Sequence, residues 1–118
     1  MNMQTLVRIM VVAAMLAGSA VAGATDIVPG DAAAGKQKTT MCQGCHGIPD
    51  YKTAFPSVYR VPKLGGQNPG YIVKALQEYK SGERGHPTMR AIAAGLNDQD
   101  MADLAAYYSA GAAKTAAK

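Results

Sequence analysis

Both cysteines of the chain and one of its two histidines fall within seven residues, Met41-Cys42-Gln43-Gly44-Cys45-His46-Gly47. On a helix Cys42 and Cys45 stand at i and i+3, so their sulfurs share one face and can bond to the same group. Cys-x-x-Cys-His is the spacing by which haem is attached covalently: each sulfur forms a thioether to a vinyl group, and His46 offers its imidazole to the iron. Two other chemistries use related residues. A redox dithiol of the thioredoxin kind sits where a strand enters a helix, and no convincing strand precedes Cys42. A zinc site needs four ligands, for which Cys42, Cys45, His46 and the distant His86 are the whole cysteine and histidine supply. Adjacent Cys45 and His46 also point about 100° apart around a helix, which suits one tetrahedral ion badly. The residues favour haem.

The elements that must position this motif are helical. Pro29-Gly30 breaks the chain, and Asp31 reads as the N-cap of a first helix running through Ala32–Lys36 toward the cysteines. Gly35 within it costs about 1 kcal/mol relative to Ala, a cost most simply explained by another helix crossing close to its backbone. From Gly47 to about Gln67 the chain reads as loop, with Pro49, Pro56, Pro62 and Gly65-Gly66, and Ser57–Val61 is too short for a strand. A structureless stretch of that length in a small domain wraps something, and haem is the candidate.

Asn68-Pro69 starts a second long helix, with Ile72, Ala75, Leu76 and Tyr79 on one face and Lys74, Gln77, Glu78 and Lys80 toward water, ending at Gly82. Gly85–Thr88 reads as irregular, followed by a short helix from Met89 to Ala94. Asn97–Asp100 caps a last helix whose apolar stripe is Met101, Leu104, Ala105 and Tyr108, with Tyr107 beside it. The tail from Gly111 to Lys118 reads as frayed.

The first 24 residues read as a cleaved export signal rather than part of the fold. Met1–Arg8 carries one positive charge, Ile9–Val21 is an apolar run of 13 residues, and Ala22-Gly23-Ala24 is acceptable to a signal peptidase. The run is short of the roughly 20 residues that span a bilayer. Cleavage is expected after Ala24, with Ala22 as the second choice and a retained anchor as the alternative. Residues 25–118 then form one small domain, whose core would be marginal without a filler such as a covalent macrocycle. The whole chain carries a net charge of +4. Without Arg8, 11 Lys and Arg face 8 Asp and Glu, a mild +3 with no basic run, so nucleic-acid binding is not expected. Neither a free thiol nor a disulfide is expected once the cysteines hold haem.

Taken together, the stretches Gly30–Lys36, Cys42–Gly47, Val61–Gln67, Tyr79–Arg84, Met89–Ala94 and Leu96–Tyr107 give a sequence that resembles a class I c-type cytochrome. It is most like the small bacterial monohaem proteins and single domains of cytochrome c4. The resemblance implies an all-α fold of about four short helices around one haem c, with the N- and C-terminal helices crossing near Gly35, Leu104 and Tyr107. It implies haem attached through Cys42 and Cys45, iron ligated by His46 and Met89, the Pro62 carbonyl accepting from the His46 ring, and Leu64 packed on the haem. Thr39 and Thr40 stand where many such proteins place an aromatic residue. One haem motif also falls short of a complete dihaem cytochrome c4.

Of the three methionines outside the leader, Met41 adjoins Cys42 on the proximal side and Met101 lies in an apolar helix stripe, which leaves Met89, with His86 as its rival for the iron. The expected function is periplasmic transfer of single electrons between redox protein partners by a monomeric, non-enzymatic carrier. The alternative is a haem c electron-entry subunit of a larger periplasmic oxidoreductase; a haem sensor or gas-binding module whose methionine leaves the iron ranks below both. Lys52, Lys63, Lys74, Lys80, Arg84 and Arg90 form the pool of charges that could steer an acidic docking surface. An apolar hollow is expected between Cys42–His46, Pro62–Leu64, Ile72–Leu76 and Met89–Ala93.

Overall fold

The computed structural model describes residues 28–54 and 57–111; the expected export signal, residues 1–24, and all of the expected frayed tail beyond Gly111 lie outside them. Among the described residues there are five helices and one short antiparallel pair of strands. The helices are α1 (Ala32–Gln37), α2 (Thr40–His46), α3 (Pro69–Ser81), α4 (Pro87–Ala94) and α5 (Asp98–Ser109), with β1 (Lys52–Thr53) and β2 (Tyr59–Arg60) between α2 and α3. Helix α5 packs against both α1 and α3, and α4 against α3.

The first helical stretch is two helices rather than one. Asp31 caps α1 as expected, its carboxylate accepting from the amides of Ala33 and Ala34. The break comes at Thr39, a buried residue whose hydroxyl donates to the Lys36 carbonyl at 2.8 Å and accepts from Gln43 Nε2 at 2.6 Å. A side chain that takes a backbone carbonyl in this way offers the chain an alternative to continuing the helix. The region expected to be all loop holds the two strands, with Lys52 opposite Arg60 and Thr53 opposite Tyr59. An Asp50–Arg60 ion pair at 2.9 Å and a bond from the Val61 amide to the Tyr51 carbonyl extend that pairing. Strands of two residues are too short to carry a readable alternation.

Helix α3 begins where expected, with Asn68 accepting from the Tyr71 amide and Pro69 in the first turn, and it ends at Gly82. Ile72 is buried and Ala75, Leu76 and Tyr79 are half-buried; Lys74, Gln77 and Lys80 are exposed, while Glu78 is half-covered. The final helix has the reciprocal cap between Asn97 and Asp100. It buries Met101, Leu104, Ala105 and Tyr108, and also Ala102 and Asp103. The wider burial follows from its position between α1 and α3.

The crossing of α1 and α5 is close enough to require glycine. A Cβ on Gly35 would stand 2.0 Å from the Asp103 carbonyl oxygen and 2.9 Å from Tyr107 Cβ, and one on Gly30 would stand 2.0 Å from the Ala102 oxygen. The buried Asp103 carboxylate locks the crossing: it accepts from the Asp31 amide at 2.8 Å, from Lys38 Nζ at 2.6 Å and from Gln99 Nε2 at 2.8 Å. Lys38 also pairs with Asp100 at 2.7 Å, and Gln99 donates to the Pro29 carbonyl. These donors, the Asp31 amide foremost, hold the Asp103 carboxyl down at about 2. Unfolded, it titrates near 4. Its stabilisation is therefore complete above about pH 4 and is lost as pH falls through about 2. Asp103→Asn is accordingly expected to lower the urea midpoint at neutral pH, with the gap to the wild type closing between about pH 4 and 2 in a series of unfolding curves.

Candidate functional site

Helix α2 presents Cys42 and Cys45 one turn apart, both free and half-buried, and ends on His46. His46 Nδ1 lies 2.7 Å from the Pro62 carbonyl oxygen. A carbonyl oxygen can only accept, so the ring proton sits on Nδ1 and Nε2 keeps its lone pair. Pro62 is held in place from both sides. Upstream, the Val61 amide donates to Tyr51; downstream, the Gly66 amide donates to the carbonyl of Tyr108 on α5 at 2.9 Å. Cys42 and Leu64 both pack against the buried cluster of Ile72, Leu104, Ala105 and Tyr108. Burial pushes the Cys42 thiol up, so it is protonated at neutral pH and poorly suited to thiol–disulfide exchange. Among the described residues no three His, Cys, Asp or Glu side chains gather to hold a metal ion, which disfavours the zinc reading.

The other two candidate ligands stand on α4. The helix starts two residues earlier than expected, at Pro87, because proline suits the first helical position and His86 caps it. Met89 therefore lies in a helical first turn rather than after a loop, and it is half-buried. His86 Nδ1 accepts from the Met89 amide at 3.3 Å. A backbone amide can only donate, so this neutral ring carries its proton on Nε2 and has no lone pair to spare. The ring is further fixed by edge-on contacts with Tyr59 and Tyr79, centroids 5.3 and 6.4 Å away. Met101 is wholly buried in α5, and Met41 is 69% exposed.

Thus Cys42, Cys45, His46, Pro62 and Leu64 are gathered by α2 and the segment after β2, whereas Met89 is not among the residues packed on the buried cluster. The sequence reading missed two neighbours. Tyr108 buries its hydroxyl beside Cys42, and burial pushes its ionisation far up. His86 serves as a cap; Pro87 at the first helical position was its available signal.

The apolar surface around the motif suits a flat macrocycle. Only seven apolar residues are fully buried among those described, and Cys42, Leu64, Val73, Leu76, Leu96 and Tyr107 around the cluster are only partly covered. Ile48, Val58 and Tyr59 are exposed as well. A group attached to Cys42 and Cys45 would have this apolar surface to cover, with His46 Nε2 available to its iron. A cavity of about 490 Å³ lies between the turn after α3 and α4, not at the hollow expected between Cys42–His46, Pro62–Leu64, Ile72–Leu76 and Met89–Ala93, where the half-buried side chains pack on the buried cluster instead.

Sequence comparison agrees with these features. The cytochrome c family model matches residues 32–109, from the first residue of α1 to the last of α5. The chain is 41% identical over 80 residues to a cytochrome c4 of Pseudomonas aeruginosa, covering 68% of this chain and 38% of that protein. It is 42% identical over 83 residues to cytochrome c-554(548) of Halomonas halodenitrificans, covering 68% of this chain and 95% of the other. It is also 38% identical over 69 residues to a thiosulfate dehydrogenase electron acceptor of Stutzerimonas stutzeri, covering 58% and 31%. The chain thus spans about two fifths of the length of the cytochrome c4 relatives it matches. The capping role of His86 is open to a direct check by urea unfolding: His86→Ala is expected to cost about 1 kcal/mol of stability, and His86→Asn, which restores a capping acceptor, much less.

Proposed function

Because the chain belongs to the cytochrome c family, which carries covalently bound haem c, we propose that it is a periplasmic carrier of single electrons between redox proteins. Cys42 and Cys45 would hold the haem, and His46, through Nε2, and Met89 would ligate its iron. The haem, when bound, supplies an iron that exchanges one electron. The chain's own residues set the conditions. Pro62 orients the His46 ring by accepting a hydrogen bond from its Nδ1–H. Leu64, Leu76 and the buried cluster keep water from that side.

The observation that carries the ligand assignment is the opposite hydrogen-bonding role of the two histidines. His46 donates at Nδ1 and so can bind a metal at Nε2; His86 accepts at Nδ1 and is spent on the Met89 amide. An iron held by both His46 and Met89 would leave no place for a substrate, which suits electron transfer and not catalysis. Steering toward an acidic partner falls to exposed Lys52 and Lys63 in particular. Lys74 is paired with Glu78 and Lys80 donates to the Leu96 carbonyl, whereas Arg84 and Arg90 make no ion pair among the described residues and keep their charge.

The test is spectroscopic. The haem is expected to stay with the polypeptide through acid–acetone extraction. Met89→Ala is expected to abolish the iron–thioether charge-transfer band of the oxidised protein and to admit carbon monoxide to the reduced form, while Met101→Ala keeps the band. Survival of the band in Met89→Ala would overturn the assignment.

A second reading, an electron-entry subunit of a larger oxidoreductase, is favoured by the similarity to the thiosulfate dehydrogenase electron acceptor and by exposed Ile48, Val58 and Tyr59. Gel filtration of the native protein separates the two: a carrier elutes at the mass of the single chain, a subunit with its enzyme.

A further inference from the structure

Helix α4 has two faces of different character. Met89 and Ala93 turn one way, half-buried and buried, and by the helical repeat Pro87, Ala91 and Ala94 fall on the opposite side, with exposed Arg90 on the flank between. Between that outer face and the turn after α3, at Gly82 and Arg84, lies the cavity of about 490 Å³, open to solvent. Its walls are mostly carbon, and Arg84, Arg90 and the capping His86 are among its lining residues. Arg84 is held without any carboxylate: both of its terminal nitrogens donate to Tyr71 Oη at 3.2 Å, and its plane rests 5.1 Å from the Tyr79 ring centroid and 5.8 Å from that of Tyr71. The Arg90 guanidinium lies against the end of α3, 3.4 Å from where a Cβ on Gly82 would stand.

Among the described residues neither arginine makes an ion pair. Glu78, a carboxylate that acts on Arg84 through space, is paired with Lys74 at 3.8 Å. Each guanidinium has five N–H donors, of which Arg84 spends two on an uncharged hydroxyl. Two cations fixed on one hollow repel each other, and an anion between them removes that cost. The planar fork of arginine matches a carboxylate, and the volume and apolar walls suit an organic acid with a carbon body rather than a bare inorganic ion.

We propose that this hollow is a binding site for a carboxylate ligand, its anionic end held by Arg84 and Arg90 and its carbon skeleton laid on Pro87, Ala91 and Ala94. The ligand is either a free small organic acid or a glutamate side chain of a protein, the same chemistry from two sources. The site faces away from Met89 and does not depend on electron transfer.

The experiment titrates the haem-loaded full chain with glutarate and, separately, with a short glutamate peptide, following the amide signals of Gly85, Ala91 and Ala94 by NMR. Saturable shifts there with glutarate assign a free acid; the same shifts with the peptide alone assign a protein side chain. In either case Arg90→Gln should weaken binding about tenfold or more, whereas Lys36→Gln, an exposed change on α1, should weaken it less than about twofold. Arg90 is exposed, so its loss leaves the fold intact even if Arg84→Gln does not fold. The haem spectrum of Arg90→Gln should match the wild type, which keeps a failure here distinct from a failure of the haem assignment. Absence of shifts with both probes, or equal weakening by Lys36→Gln and Arg90→Gln, would overturn the proposal.

Discussion

The close crossing of α1 and α5 is the constraint on which the remaining structure rests. Two glycines let the backbones meet, and one buried carboxylate receives the free amide of Asp31, the Lys38 ammonium and the Gln99 amide at the same place. A buried charge with three donors is stabilised where an unpaired one would be costly. Since α1 and α5 lie at opposite ends of the described domain, joining them closes the chain into a ring of elements. Helix α3 then packs on the other side of α5, and the segment between α2 and α3 is confined to the space left over.

That space is where the motif sits, and the side chains around it are partly covered rather than buried. Fully buried carbon is confined to a few positions on α3, α4 and α5, and the residues around Cys42 are half-covered. For a chain of this size, whose own core is small, the covalent haem of the family is part of the fold's stability as well as its chemistry. The backbone prepares for it by treating its two histidines differently. One meets a carbonyl and is left able to bind iron; the other meets an amide and is used up as a helix cap.

Helix α4 joins two regions with different solvents. Its inner side carries Met89 and the fully buried Ala93, and its outer side lines an open hollow with Arg84 and Arg90. Holding an arginine on tyrosine rings and a hydroxyl, rather than on a carboxylate, leaves its charge available to something outside the chain. In an eight-residue helix these two sides are separated only by the helical period, so a ligand could occupy one without touching the other.

The sequence by itself determined the motif and the local helix chemistry. Cys42, Cys45 and His46 are defined by adjacency, and the caps at Asp31, Asn68 and Asn97 act over three residues, so neither needs the rest of the chain. Gly35 was legible as a crossing because a glycine inside a helix asks for a reason. The split of α1 from α2 at Thr39 is also local, made by bonds to Lys36 and Gln43, whereas tertiary structure alone decided the pairing of β1 with β2. It also decided the burial of Asp103 and the contact of Tyr108 with Cys42. Each of these depends on a partner brought near by folding, such as Asp31 and Lys38 for Asp103, which are 72 and 65 residues away along the chain. Hydrophobic periodicity reports which face of a helix is apolar, but not how many neighbours cover it. The role of His86 was local in the same way as the other caps, since its Nδ1 meets the Met89 amide three residues on and Pro87 marks the helix start; the ligand role of His46 was not, because the Pro62 carbonyl that leaves its Nε2 free lies 16 residues away and is brought there by folding.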